Sequence, residues 1–188
     1  MRKVAIVAKA GTSALAPWRD AGWEIWGMPW IVYPRVTRLF EVHAQSFCDA
    51  AEGESRDEAW LPEALARYAG IPVYCDPSRL HAFPDAVEYP LREIRQSLPI
   101  PYLENTIAYQ LAMAIHEEVD EIGLWGVHMM GRGEFTWQRP SVTYLIGLAQ
   151  GRGITVSNAP GSPLFMSGYE GGRYGLTTGE RFIAMAGQ

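Results

Sequence analysis

The chain has 188 residues, of which 48% are hydrophobic and 20% are charged, and its formal net charge is −5. This length predicts a single domain, and the acidic balance argues against an extended nucleic-acid-binding surface, which requires a basic face. No apolar run approaches the ~20 residues that span a bilayer, and the run after Lys3 is too short for a secretory signal, so we expect a cytoplasmic protein without a membrane span.

In the first half of the chain, short apolar runs alternate with helix and turn signals. Strands are predicted at residues 4–8, 23–26, 39–42 and 71–75. A helix is predicted from the turn at 11–13 as far as Gly22, and another at 61–68, where Gly70 ends it. Between them, the charged segment 52–58 predicts a loop or the beginning of a helix.

The second half begins with a proline-rich stretch, residues 76–101, which predicts an irregular connection with one helix at 91–98. An amphipathic helix follows, with Asn105 as its N-cap. Its apolar residues recur at every fourth position, at Leu103, Ile107, Leu111 and Ile115. Further elements are predicted in this order: a strand at 122–127, a polar loop at 131–139, a helix at 142–149 and a strand at 154–156.

The alternation of strands and helices predicts an α/β fold. We expect one Rossmann-like domain over residues 1–168, with a mostly parallel sheet flanked by helices, and a Gly-rich tail at 169–188. Open sheets of this kind bind ligands at the carboxyl ends of their strands. The chain therefore predicts a small-molecule site at that edge of the sheet.

Two segments that precede helices offer hydrogen-bond donors for a phosphate. Gly11, Thr12 and Ser13 follow the first strand, and small residues allow backbone N–H groups to approach an anion. Asn105 and Thr106 stand where the amphipathic helix begins. Neither segment is a G-x-G-x-x-G or Walker motif, and each is also compatible with an ordinary turn or helix cap.

Charged and imidazole side chains near two further strand ends form a second group of candidates. Glu41 and His43 would share one face of a strand, so that the carboxylate orients the imidazole as a base, and Arg38 nearby would bind a phosphate. Gly126 indicates the close approach of a ligand or of another backbone segment, and His128 follows it at the carboxyl end. A surface ion-pair cluster is the alternative interpretation of the first three residues.

The polar loop at 131–139 supplies Arg139, which would hold a phosphate, and Ser162 follows the last strand into the same crevice. A solvated loop and a simple turn are the alternatives.

The chain has four His residues without paired spacing, which argues against a dedicated metal site. Cys48 and Cys75 fit no metal or redox spacing and are predicted to be reduced thiols.

Three segments resemble the small bacterial sialyltransferases of the Campylobacter type and the related pterin-pyrophosphokinase-like group of Rossmann-type proteins. They are the first strand with its turn at 4–13, the helix and strand at 105–128, and the helix and strand at 144–164. The resemblance implies a Rossmann-type fold in which the first loop and the helix start hold a cytidine nucleotide. The Arg-x-x-Glu-x-His pattern at 38–43 also resembles phage-encoded proteins.

The chain departs from the sialyltransferase pattern at several places, among them the segment 27–30, which lacks the asparagine expected after the second strand, and the lid, which lacks the tyrosines that hold the donor phosphate. Its first loop reads Ala-Lys-Ala-Gly-Thr-Ser where that family usually has Gly-Asn-Gly-Pro-Ser, and the lid histidine has no counterpart between Phe135 and Ser141. The resemblance therefore implies the fold and a nucleotide-type crevice rather than sialyl transfer.

We expect a nucleotide-binding, transferase-like protein whose substrate is a nucleotide or nucleotide sugar, with glycosyl transfer as the activity considered first. Glu41 or His43 would act as the base, with His128 as a further catalytic candidate, and Arg38 or Arg139 would steady the leaving phosphate. The alternatives are a non-catalytic nucleotide-binding module and a pterin-type pyrophosphokinase, which would need clustered acidic residues for Mg²⁺. The oligomeric state stays open.

Overall fold

A computed structural model describes residues 1–50, 60–130 and 134–165. In these residues, seven parallel strands form one sheet. In chain order they are β1 (Lys3–Val7), β2 (Trp23–Gly27), β3 (Arg38–Glu41), β4 (Val73–Cys75), β5 (Ala86–Glu88), β6 (Glu121–Trp125) and β7 (Thr155–Asn158). The charged segment 52–58 and the predicted tail at 169–188 lie outside the described residues.

The sheet has the spatial order β5-β4-β3-β2-β1-β6-β7. Strands are therefore added outward from β1 in one direction as far as β5, and the chain then returns to place β6 on the other side of β1. Lys3 of β1 pairs with Trp23 of β2 and with Glu121 of β6. The boundary between β1 and β6 is thus the point where the strand order reverses, which is where doubly wound sheets bind ligands.

Helices cover both faces of this sheet. They are α1 (Gln45–Ala50), α2 (Leu61–Arg67), α3 (Leu91–Ser97), α4 (Thr106–His116) and α5 (Glu134–Gly151). The α4 and α5 helices pack on the face that carries Val4 and Ile6 of β1. The opposite face carries Ala5 and Val7 and packs against α2. Because strand side chains alternate between the two faces, a strand buried on both faces reads as a continuous apolar run, as β1 does.

Helix α4 runs from the carboxyl edge of the sheet to its amino edge. Asn105 caps its first turn, since its side chain accepts a hydrogen bond of 2.8 Å from the backbone N–H of Ala108. Glu117, just after the last residue, accepts a 2.6 Å hydrogen bond from Arg2, which precedes β1. The helix start, with Thr106, therefore lies at the same edge of the sheet as the carboxyl ends of the strands.

The structure corrects three expectations about local structure. The helix expected from 11 to Gly22 is a five-residue 3-10 segment, Gly11–Leu15. The polar loop expected at 131–139 is helical from Glu134 onward, and α5 contains Pro140 in its interior. The connection at 76–101 contains β5, which extends the sheet at its edge.

Within the described residues, none of the helices has the length and apolar character required to cross a bilayer.

Candidate functional site

Backbone hydrogen bonds hold the segments that follow β1 and β6 directly against each other. The N–H of Ala8 donates to the carbonyl oxygen of Trp125 at 2.9 Å, and the N–H of Ala10 donates to that of Gly126 at 3.1 Å. A Cβ on Gly126 would lie 2.2 Å from the carbonyl oxygen of Ala8, and its φ of +68° suits glycine. The close approach expected at Gly126 is therefore an approach to the backbone after β1.

The side chain of Thr12 joins the two segments at the point where the strand order reverses. Its Oγ1 accepts a 2.9 Å hydrogen bond from the backbone N–H of Gly126 and lies 3.0 Å from Nε2 of His128. The two side chains are 116 positions apart in sequence. We call this arrangement of Thr12, Gly126 and His128 the switch-point cluster. Lys9, exposed in the same turn, adds a positive charge beside it.

The backbone immediately after His128 adopts an unusual conformation. Met129 has a φ of +50°, a region that long side chains rarely occupy and that costs about 1–2 kcal/mol. Its side chain is nevertheless buried, with 8% of its surface exposed. Packing in the core therefore holds Met129 in a strained backbone conformation directly after His128, and strain of this kind is concentrated at functional sites.

Further hydrogen bonds connect the switch-point cluster to the segments around α5 and after β7. Ser162 donates from its hydroxyl to the carbonyl oxygen of Val127 at 3.0 Å. The guanidinium of Arg139 donates to the carbonyl oxygen of Leu164 at 2.7 Å and contacts Sδ of Met130 at 3.7 Å. The predicted residues Ser162 and Arg139 thus contact Val127 and Met130, which flank His128 in the sequence.

The start of α4 is joined to the same region through α5. The side-chain amide of Asn105 donates to the carbonyl oxygen of Gln138 at 3.3 Å, and Gln138 directly precedes Arg139. Thr106 is buried, with 6% of its surface exposed. Hydrogen bonds and chain connectivity together therefore link Thr12 to His128, Met130 to Arg139, and Gln138 to Asn105.

Two polar side chains that the sequence did not single out line the ends of β1 and β2. The hydroxyl of Tyr33 donates to the carbonyl oxygen of Val7 at 2.9 Å and accepts from the N–H of Met28 at 3.0 Å; burial raises the pKa of Tyr33 above its ordinary range. The side-chain amide of Gln110 donates to the carbonyl oxygen of Gly27 at 2.9 Å. A polar residue at a core position of an amphipathic helix, as at 110, is the one sequence signal that would have identified Gln110.

Glu41 and His43 form the contact that the sequence predicts for them, at the carboxyl end of β3. Nδ1 of His43 is hydrogen-bonded to Oε1 of Glu41, and the backbone N–H of His43 donates to the same oxygen at 3.2 Å. The carboxylate is buried, with 4% of its side chain exposed. Trp30 lies beside the imidazole, with ring centroids 6.1 Å apart. A buried carboxylate on one ring nitrogen is the arrangement that orients histidine for proton transfer.

Arg38 does not join Glu41 and His43. It begins β3, and its side chain lies on the opposite face from Glu41 because strand residues alternate. The guanidinium donates to Glu117 at 2.7 Å, and its Nε lies 3.5 Å from a carboxylate oxygen of Glu24. Together with Arg2, these residues form an ion-pair network on one face of the sheet, so the expected grouping of Arg38 with the two others is wrong.

The described residues include no group of three or more His, Cys, Asp or Glu side chains that could hold a metal ion. Cys48 and Cys75 are not joined in a disulfide bond, and burial raises the pKa of Cys75 to about 11. In comparisons with known proteins, no family model, no curated protein and no solved structure matches the chain.

Proposed function

We propose that this chain binds a nucleotide-type anion at the carboxyl ends of β1 and β6, beside the start of α4, and transfers a group from it. The observation that carries the proposal is the contact of Thr12 with His128 across the point where the strand order reverses. Doubly wound sheets bind their ligands at this point, and here two side chains that can hydrogen-bond a phosphate oxygen converge on it.

The surroundings of the cluster favour a negatively charged ligand. Helix α4 has 11 residues, long enough for its N-terminus to carry a partial positive charge of about half an elementary charge, and that end lies at the same edge of the sheet. Lys9 contributes a full positive charge. The short segment Gly11–Leu15 has too few aligned peptides to add much, so its contribution is the hydroxyls of Thr12 and Ser13 and its backbone N–H groups.

Glu41 and His43 support the transfer step. In the proposed reaction, His43 takes the proton of an acceptor hydroxyl while that oxygen bonds to the transferred group of the donor. The bond between that group and the phosphate breaks, and the phosphate keeps the electron pair. Thr12, His128 and the start of α4 would stabilise the charge that develops on it. Glycosyl transfer from a nucleotide sugar is the first reaction to test.

One observation favours the second candidate, a non-catalytic nucleotide-binding module. Arg38 and Arg139, the cations expected to steady a leaving phosphate, both bind groups of the chain itself, at Glu117 and Leu164 respectively. Catalysis of phosphate departure would therefore depend on Lys9, His128 and the helix start. We also propose, from the sequence alone, that the protein is cytoplasmic and encoded by a phage.

The two candidates are separated by measuring binding and turnover on the same preparations. Calorimetry with nucleoside mono- and diphosphates and with nucleotide sugars gives the affinity, and hydrolysis or transfer of the nucleotide sugar gives the turnover. Binding with turnover that His43→Asn abolishes supports the transferase, whereas binding without turnover supports the module. No binding of any of these ligands at millimolar concentration would refute both.

A further inference from the structure

The side-chain amide of Gln110, in the second turn of α4, is buried, and its acceptor oxygen has no hydrogen-bond partner among the described residues. The residue has no exposed surface. Its Nε2 donates to the carbonyl oxygen of Gly27 at 2.9 Å, but its Oε1 has no hydrogen-bond partner among the described residues. Buried polar atoms are nearly always paired, so this orphaned acceptor needs an explanation.

The orientation of the amide follows from its neighbour. Gly27 presents a carbonyl oxygen, which accepts only a donor, so the NH₂ end of Gln110 must face it and the oxygen must face away. Helical side chains lean toward the N-terminus. The amide therefore lies beside the turn that begins at Thr106, which occupies the same helix face one turn earlier.

We propose that Oε1 of Gln110 is a specificity-determining acceptor that receives an N–H or O–H donor of the bound ligand. This inference rests on the proposed function and narrows it: the ligand carries a hydrogen-bond donor on the part that enters beside Thr106. Three groups of a nucleotide have this chemistry: the exocyclic amine of cytosine or adenine, the ring N–H that uracil and hypoxanthine carry beside the carbonyl that replaces this amine, and the 2′-hydroxyl of the ribose.

The proposal includes a local movement. Thr106 is itself buried, with 6% of its surface exposed, and precedes Gln110 by one helical turn on the same face of α4. Its side chain shifts when the ligand enters, and the new hydrogen bond compensates for the shift, because an acceptor left unpaired in the interior is costly. A ligand without a donor at this position leaves the acceptor unpaired and binds less tightly.

Matched nucleotide pairs test the inference by calorimetry. CMP and UMP differ by an amine against a carbonyl at one position of the base, as do AMP and IMP, and CMP and dCMP differ by one ribose hydroxyl. Each pair is measured on the wild-type chain, on Gln110→Met, which keeps the side-chain length but removes both polar atoms, and on Gln150→Met, the same change at an exposed position of α5.

The wild type is expected to bind one member of one pair about tenfold more tightly, and the pair and the direction of the preference identify the amine, the ring N–H or the 2′-hydroxyl as the donor. Gln110→Met is expected to lose this preference while Gln150→Met retains it. A preference that persists in Gln110→Met would overturn the inference, as would equal binding within all three pairs by the wild type, which decides the matter even if the variant does not fold. Failure of every nucleotide to bind the wild type would refute the proposed function and this inference with it.

Discussion

Oγ1 of Thr12 lies 3.0 Å from Nε2 of His128 while accepting a 2.9 Å hydrogen bond from the backbone of Gly126. This relationship ties the turn after β1 to the turn after β6 by side chain as well as by backbone. Substitutions at these positions should therefore change both the free energy of unfolding and the affinity for the ligand, and the two effects can be measured separately.

Replacing Thr12 with Val keeps the shape of the side chain and removes its hydroxyl. The N–H of Gly126 then loses its partner, so we expect the free energy of unfolding to fall by about 1–3 kcal/mol. The affinity for a nucleotide should fall further, because the hydroxyl is also proposed to bind the phosphate. Urea denaturation and calorimetry measure the two effects. Thr155→Val, at the exposed beginning of β7, is the matched control and should change neither; equal nucleotide affinity in both variants would contradict the role of Thr12.

Gly126→Ala should be among the most destabilising single substitutions in the chain. The new Cβ would lie 2.2 Å from the carbonyl oxygen of Ala8 in a backbone with a φ of +68°, so both a clash and backbone strain arise. We expect a loss of about 3 kcal/mol or more, measured by urea denaturation.

Gly147→Ala is the control for that substitution. Gly147 lies inside α5, and a Cβ there meets no atom within 4 Å, so alanine should stabilise the helix by up to about 1 kcal/mol. Similar effects of the two substitutions would show that the turns after β1 and β6 are not packed as described.

The stability of the chain should decrease in acid through the network of Arg2, Glu24, Arg38 and Glu117. Burial raises the pKa of Glu24, but hydrogen bonds from Arg2 and Trp26 and the charges of Arg2 and Arg38 outweigh it, so that the pKa lies below its ordinary value of 4.5. A group whose pKa is lowered by folding stabilises the folded state above its ordinary pKa, and that contribution disappears as the pH falls through the lowered value.

Thermal unfolding of wild type and Arg2→Met between pH 7 and pH 3 measures this contribution. The variant should lose stability at pH 7 and should show a weaker dependence on pH below about 5, because the pKa of Glu24 then returns toward its ordinary range. Arg92→Met, which removes an arginine whose side chain is 82% exposed, should leave the profile nearly unchanged. Parallel profiles for wild type and Arg2→Met would exclude this role of the network.

Glu41→Gln should separate proton transfer from ligand binding. The amide can still hydrogen-bond the imidazole of His43, but it no longer carries the negative charge that lies beside the ring. If His43 is the base of the proposed transfer, turnover should fall by about 10²–10⁴-fold, while the Kd for the nucleotide stays unchanged because the switch-point cluster is intact. A fall in affinity with unchanged turnover per bound ligand would place the pair in binding rather than in catalysis.

The α/β fold follows from the sequence because the central strands β1 and β6 are buried and read as nearly continuous apolar runs, and helix signals alternate with the strand signals along the chain. β5 is not predicted because it has three residues, and two of them, Val87 and Glu88, are exposed, so it shows neither an apolar run nor alternation. The beginning of α5 is not predicted because Pro140 indicates a helix boundary. In the structure, the hydroxyl of Ser141 donates to the carbonyl oxygen of Gln138 beside the proline.

The candidate site, like the fold, can be predicted from the sequence only in part. Thr12 and His128 lie in the segments that follow β1 and β6, and the rule for parallel sheets brings such segments to the same edge. Alternation along β3 places Arg38 on the opposite face from Glu41, but it does not show the charged partners of Arg38 on neighbouring elements. The position of Gln110 among the apolar residues of a helix marks it as a buried polar residue, but only the structure shows which of its polar atoms is left unpaired.

The ligand is proposed to bind where the strand order reverses, beside the turn after β1 and the start of α4. A crystal structure of the chain with a bound nucleoside monophosphate would locate this site. We expect a phosphate within hydrogen-bond distance of Thr12 or His128, with the nucleoside extending toward Thr106. A nucleotide bound at another edge or face of the sheet, with the hydroxyl of Thr12 and the imidazole of His128 making no contact to it, would refute the proposed site.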